Sequence, residues 1–116
     1  MLRHIAALAI ALAVSVPAMT LADEVNVLSN VALKAIIKSK YARQNLPVAC
    51  VLLVDFRIEG KWGVGELREK HDEKCGGDPR NAPRLTTVSV NRRTKRVYFE
   101  NLDGERVPAK RYRGPL

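Results

Sequence analysis

Between residues 48 and 58 every second residue is apolar: Val48, Cys50, Leu52, Val54, Phe56 and Ile58. Alternation of this length marks a strand with one face buried, because successive side chains of a strand point to opposite sides. The other face reads Ala49, Val51 and Leu53 before Asp55 and Arg57, so the strand is expected to begin buried and emerge into solvent. Any fold for this chain must build a sheet around the segment, with Cys50 turned inward.

The flanking sequence supplies the rest of such a sheet. Residues 27–44 combine Val27, Leu28, Val31, Leu33, Ile36, Ile37 and Tyr41 with Lys34 and Lys38 four apart, a spacing that predicts a helix. Asn26 or Ser29 would cap its start, and Asn45 with Pro47 would stop it. Glu59-Gly60-Lys61 can turn the chain into a second strand over 62–68, where Gly63 and Gly65 mark a bulge or a close backbone approach. Third and fourth strands are expected over 85–90 and 96–100, joined by the hairpin-sized connection Asn91-Arg92-Arg93-Thr94-Lys95. Residues 105–116 contain Pro108 and Pro115 and little apolar content, and read as a basic tail. The expected fold class is α+β: one N-terminal helix packed on a four-stranded antiparallel sheet in a small domain over 23–104.

Residues 1–22 have the grammar of a secretory signal peptide: Arg3, an apolar run, Pro17 and small residues, then Asp23-Glu24. The apolar run is about twelve residues, too short to span a bilayer. A cut is expected after Ala22, with Val16-Pro17-Ala18 as a second site, and the expected destination is the periplasm or the exterior. In that oxidising setting Cys50 and Cys75 are expected to form one disulfide. A small core gives such a staple a large share of the stability.

The 116 residues carry a formal net charge of +8, with 20 Lys plus Arg against 12 Asp plus Glu. Loss of Arg3 with the leader leaves 19 basic against 12 acidic side chains, a net +7. Residues 92–116 hold eight basic and three acidic side chains, so most of the excess lies there. For an exported protein this points away from genomic DNA and toward envelope polyanions, acidic lipid headgroups or an acidic protein. Arg92, Arg93, Lys95, Arg96, Lys110, Arg111 and Arg113, interleaved with Tyr98, Phe99 and Tyr112, are the candidate polyanion-binding set. Tyr98 and Phe99 point to opposite faces of a strand, so at least one of them belongs to the core.

Residues 71–84 are the most unusual stretch, long for a connection and dense in turn formers. Gly76 and Gly77 permit positive φ, while Pro79 and Pro83 fix φ and restrict their predecessors. A loop made rigid in this way loses little entropy on docking. His71, Asp78, Arg80, Asn81 and Arg84 are its candidate partner-binding residues. The competing reading is a stapled connector across the end of the sheet.

Enzymatic chemistry has few candidates. His71 is the one histidine after the leader, and Ser29, Ser39 and Ser89 are the remaining serines, with no spacing that builds a nucleophile elbow or triad. Gly63-Val64-Gly65 lacks the third glycine and the Lys-Ser/Thr of phosphate-binding loops. No metal, no cofactor and no catalytic residue is expected.

The His71-Asp72-Glu73-Lys74-Cys75-Gly76-Gly77-Asp78-Pro79 segment with Ala82-Pro83-Arg84 resembles a stretch in short exported bacterial proteins of unknown function. That resemblance implies the same layout of signal, helix and strands. The hairpin from Val90 to Val97 is similar to the Asp-x-x-Thr-Gly-x-Val turn of exported antiparallel domains, including PepSY-type modules associated with protease inhibition. Lys95 stands where that turn has glycine.

Together these features point to a non-enzymatic exported binding module, of inhibitor or immunity type, that contacts an exported or envelope protein through the 71–84 loop. The alternative is a cationic envelope-associated protein that binds anionic polymer or lipid through 92–113. Neither reading includes a transmembrane span after signal cleavage.

Overall fold

Thr20 opens the first element: its hydroxyl oxygen accepts a hydrogen bond from the Asp23 N–H at 3.1 Å, and Asp23 and Glu24 put negative charge on the first turn. The computed structural model describes residues 19–39 and 48–113. Helix α1 runs Leu21–Lys38 and ends where Ser39 turns extended, its N–H and hydroxyl both donating to the Ile36 carbonyl. This corrects the expected start. The start lies at Leu21 rather than near Val27, and Asn26 and Ser29 sit inside the helix, where the Ser29 hydroxyl donates to the Asn26 carbonyl. The sequence pattern places the start too late because Leu21 and Ala22 read as the end of the leader. The expected stop at Asn45 and Pro47, and residues 1–18 of the leader, lie outside the described residues.

A short 3-10 turn, Val48–Cys50, leads into β1 (Val51–Glu59), followed by β2 (Trp62–Glu69), β3 (Arg84–Asn91), β4 (Val97–Glu100) and β5 (Arg106–Pro108). The strands form one antiparallel sheet in the order β1-β2-β3-β4-β5. The α+β class stands, with five strands instead of four. The additional strand comes from the segment read as a tail: β5 pairs with β4, and beyond it Ala109 and Tyr112 are buried in the core. Pro108 hides it in the sequence, because proline is tolerated in a sheet only at an edge or strand end, and that is where β5 lies.

The helix covers one sheet face. Leu28, Ala32 and Ile36, one helical turn apart, pack with Leu67, Val88, Val90, Phe99, Ala109 and Tyr112. Phe99 is core and Tyr98 lies on the other face, against Trp62 edge-on at 5.5 Å.

The phase of β1 differs from the alternation in its sequence. Val51 and Leu53 pack on the core before Asp55, and Phe56 and Ile58 do so after it. The switch is a β-bulge: Val54 pairs with Glu66 and Arg57 with Val64, so Asp55 and Phe56 together oppose Gly65. Asp55 takes φ 53, a left-handed conformation that aspartate tolerates better than most residues. Leu52 and Val54 consequently face away from the helix, and Cys50 is buried from the preceding turn rather than from the strand.

The bulge drives the Phe56 ring across β2, and Gly63 and Gly65 make room for it. A Cβ at Gly65 would stand 2.8 Å from Phe56 Cδ2, 3.0 Å from Leu53 Cδ1 and 3.3 Å from the Val54 carbonyl oxygen. Gly65→Ala is therefore expected to destabilise the fold by about 1–3 kcal/mol, the range for overpacking. Adding Phe56→Leu should recover part of that loss in urea unfolding, and a double variant no more stable than Gly65→Ala would overturn the account.

Candidate functional site

Six basic side chains from three separated segments converge on one cleft of about 600 Å³. Helix α1 contributes Lys34 and Lys38, the β3–β4 turn Lys95 and Arg96, and the segment after β5 Lys110 and Arg111. Val31, Ala35, Val97, Pro108 and Ala109 supply its apolar lining, and none of the described residues around it is acidic.

Each segment is held in place by its own local chemistry. On α1, Lys34 and Lys38 are one turn apart, and they flank Val31 and Ala35, which pack against the core. In the β3–β4 turn the Asn91 side-chain oxygen accepts from the N–H groups of Arg93 and Thr94, each at 3.0 Å. Lys95 then adopts φ 61 and its N–H donates to the Asn91 carbonyl at 2.8 Å. The Lys95 ammonium also donates to the Arg92 carbonyl. After β5 the N–H groups of Arg111 and Tyr112 both donate to the Pro108 carbonyl, at 2.9 and 3.1 Å, and Tyr112 meets Phe99 edge-on at 5.7 Å. With Ala109 and Tyr112 buried, Lys110 and Arg111 between them are left exposed.

The charges in the cleft differ from most of the other cations of the sheet and the 70–84 connection. Arg57 pairs with Glu59, Arg68 with Glu66, Lys70 with Asp72, Arg80 with Asp78 and Arg92 with Glu24. Among the described residues, none of Lys34, Lys95, Arg96, Lys110 or Arg111 forms an ion pair. Like charges gathered without ion pairs favour an anion between them, most strongly at low salt, where the Debye length exceeds about 10 Å.

Of the seven residues expected to bind a polyanion, four line the cleft: Lys95, Arg96, Lys110 and Arg111. Arg92 is committed to the fold. Its guanidinium donates to both Glu24 oxygens, at 2.6 and 2.9 Å, and to the Gly60 carbonyl at 2.8 Å, tying the start of α1 to two turns of the sheet. Arg93 is exposed on the turn, and Arg113 borders a separate recess beside Asp103 and Tyr112. The sequence reading misses Lys34 and Lys38, whose spacing is visible there but serves only as a mark of the helix.

No family model matches the chain, and neither a curated protein nor a solved structure does so.

The 71–84 loop is ordered by internal bonds. Cys50 and Cys75 form a disulfide that joins it to the turn before β1. Asp72 accepts from the N–H groups of Lys74 and Cys75 at 3.0 and 2.8 Å. The His71 ring lies against Gly77, where a Cβ would come within 2.6 Å of it, and its Nδ1 is 2.9 Å from the Asp78 carbonyl oxygen. At its far end the Glu69 N–H donates to the Pro83 carbonyl and the Arg68 guanidinium to the Ala82 carbonyl, both at 2.9 Å. Among the expected contact residues, His71 is thus an internal brace with a side chain only 11% exposed. Asp78 and Arg80 hold each other, Asn81 is exposed, and Arg84 turns toward Glu66 and Thr87 on β2 and β3. Among the described residues no group of three His, Cys, Asp or Glu side chains converges as a metal site.

Three carboxyl groups are held below their ordinary range. The Arg92 guanidinium does this for Glu24, the Cys75 N–H bond is the leading cause for Asp72, and the Arg80 guanidinium is the leading cause for Asp78. A depressed folded-state value means that the unfolded chain binds more protons in acid. The stabilisation is in place above the unfolded-state values near about pH 4 and is lost as pH falls through the lower folded values. Thermal unfolding should therefore show a midpoint that drops with acid below about pH 4. Glu24→Gln should flatten that decline, and an unchanged acid limb would count against the Glu24–Arg92 tie.

Proposed function

We propose that the protein is an exported, non-enzymatic binding module that holds an anionic envelope component in the cleft between α1 and the β4–β5 side of the sheet. The observation that carries this reading is the convergence of five cations without ion pairs, from α1, the β3–β4 turn and the segment after β5, around one cleft. Export is supported by the signal-like residues 1–22 and by the disulfide, which is at home in an oxidising compartment. No described helix is long and apolar enough to cross a membrane.

Co-sedimentation with anionic and with neutral phospholipid vesicles, together with titration by polyphosphate, tests the reading. Binding to the anionic probes is expected to fall steeply with salt. Reversing Lys34, Arg96 and Lys110 to glutamate should weaken it by more than about tenfold, since each phosphate contact contributes to the electrostatic affinity. Arg57→Glu, on β1, should leave it nearly unchanged. Equal binding by the cleft variant, or equal binding to neutral vesicles, would refute the proposal.

A second reading rests on the 71–84 loop, whose disulfide, Asx bonds and braced histidine make it rigid, with Arg80 88% exposed at its surface. A pre-ordered loop of this kind suits contact with an exported protein, as does the PepSY-like turn, whose glycine position Lys95 occupies at φ 61. Loss of a co-purifying protein on replacing Arg80 and Asn81 with alanine would favour it, and its retention would sink it.

A further inference from the structure

The cleft is lined by two kinds of surface, and the apolar one adds a requirement that charge alone does not meet. Val31 and Ala35 on α1 face Val97 and Ala109 across it, all four at the boundary of the core. Ala109 is buried while the other three keep part of their surface open. Resting on the anion-binding reading above, we infer that the occupant is a single-chain anionic amphiphile. Its head meets the rim of lysines and arginines, and its acyl chain lies along Val31, Ala35, Val97 and Ala109.

The chemistry of the cleft excludes the simpler occupants. A hydrophilic polyanion would satisfy Lys34, Lys95, Arg96, Lys110 and Arg111 and leave the apolar lining wet. A neutral amphiphile would cover the lining and leave five cations without an ion pair. Intact bilayer is a broad surface, whereas this site is a recess. Its volume of about 600 Å³ falls within the roughly 300–1,000 Å³ of clefts that hold small organic ligands.

Alkyl sulfates of increasing chain length, held below their micelle concentrations, are the probes, with calorimetric titration of the purified disulfide-intact protein as the readout. Affinity should rise about threefold to fourfold per added methylene until the recess is filled, the increment expected for burying each CH2. An alkyl maltoside of matched chain should bind at least about tenfold more weakly, because its uncharged head offers the cations no charge-assisted hydrogen bond. Ala35→Phe, which fills the recess from the helix side and leaves every cation in place, should abolish the chain-length dependence while preserving polyphosphate binding. Leu33→Phe, which adds the same ring to an exposed position of the same helix outside the cleft, should bind the whole series nearly as the parent does, and circular dichroism would verify that both variants are folded.

Affinity that ignores chain length and is matched by polyphosphate would overturn the amphiphile and leave the anion-binding reading intact. Binding to anionic bilayer vesicles with none to monomeric alkyl sulfates would overturn it too. Absence of binding to every anionic probe would remove both proposals together.

Discussion

Replacing Cys50 and Cys75 together by alanine is expected to lower the unfolding free energy by about 3 kcal/mol, the chain-entropy value for a loop of this size. The bridge spans a sequence separation of 25 residues and encloses β1, β2 and the start of the 71–84 loop. Without it the unfolded chain regains the freedom that the loop had lost, while the folded chain keeps its β1–β2 pairing and the Lys70 N–H to Cys50 carbonyl bond at 2.8 Å. Such a loss is a large part of the roughly 5–15 kcal/mol available to a small domain. Urea unfolding of the double variant against the parent measures it directly, and reduction of the parent should reproduce the shift. A change below about 1 kcal/mol would mean that residual structure in the unfolded chain already closes the loop.

Tyr112→Ala should cost a similar amount, about 3 kcal/mol, at the low end of the range for removing a large buried aromatic. Tyr112 is 4% exposed, and its ring meets Phe99, itself 1% exposed, at an interplanar angle of 90°. The expected result separates two views of the C-terminal segment. A solvated tail would tolerate the change within about 0.5 kcal/mol, the usual range for surface sites. A core element would not. Because Lys110 and Arg111 are positioned by their buried neighbours, the same variant should also weaken anion binding, whereas Arg113→Ala should affect neither measurement appreciably.

The parts of the fold that sequence reasoning recovers are those encoded by neighbours. The turn at Asn91 works through an Asx side chain, and β-branched and aromatic residues flank it on both sides, so the β3–β4 hairpin is readable. The cysteine pairing follows from compartment and count. The phase of β1 is not readable, because residues 48–54 are apolar without a break and either face could be the buried one. The decision rests with Asp55, whose bulge exists only through pairing against Gly65 of another strand. Gly63 and Gly65 do signal a close approach, and the approaching group is the Phe56 ring. For β5, three residues ending in proline carry too little pattern to outweigh a basic composition. The cleft needs the same long-range information. Lys34, Arg96 and Lys110 are each ordinary surface residues in the sequence, and only the docking of α1 beside β4 and the turn after β5 makes them one site.

The sheet face turned away from α1 carries a built-in optical reporter. Trp62 is the one tryptophan of the chain, and it sits there with the Arg106 guanidinium 4.0 Å from its ring centre and Tyr98 at its edge. Its emission responds first to that face, and it is linked to the cleft by Tyr98, which lines the cleft and meets the indole edge. A ligand on the uncovered sheet is expected to change the emission strongly by displacing the Arg106 guanidinium from the ring. A ligand in the cleft reaches the indole by way of Tyr98, so a small optical change beside full calorimetric binding marks that side of the sheet in an unlabelled molecule.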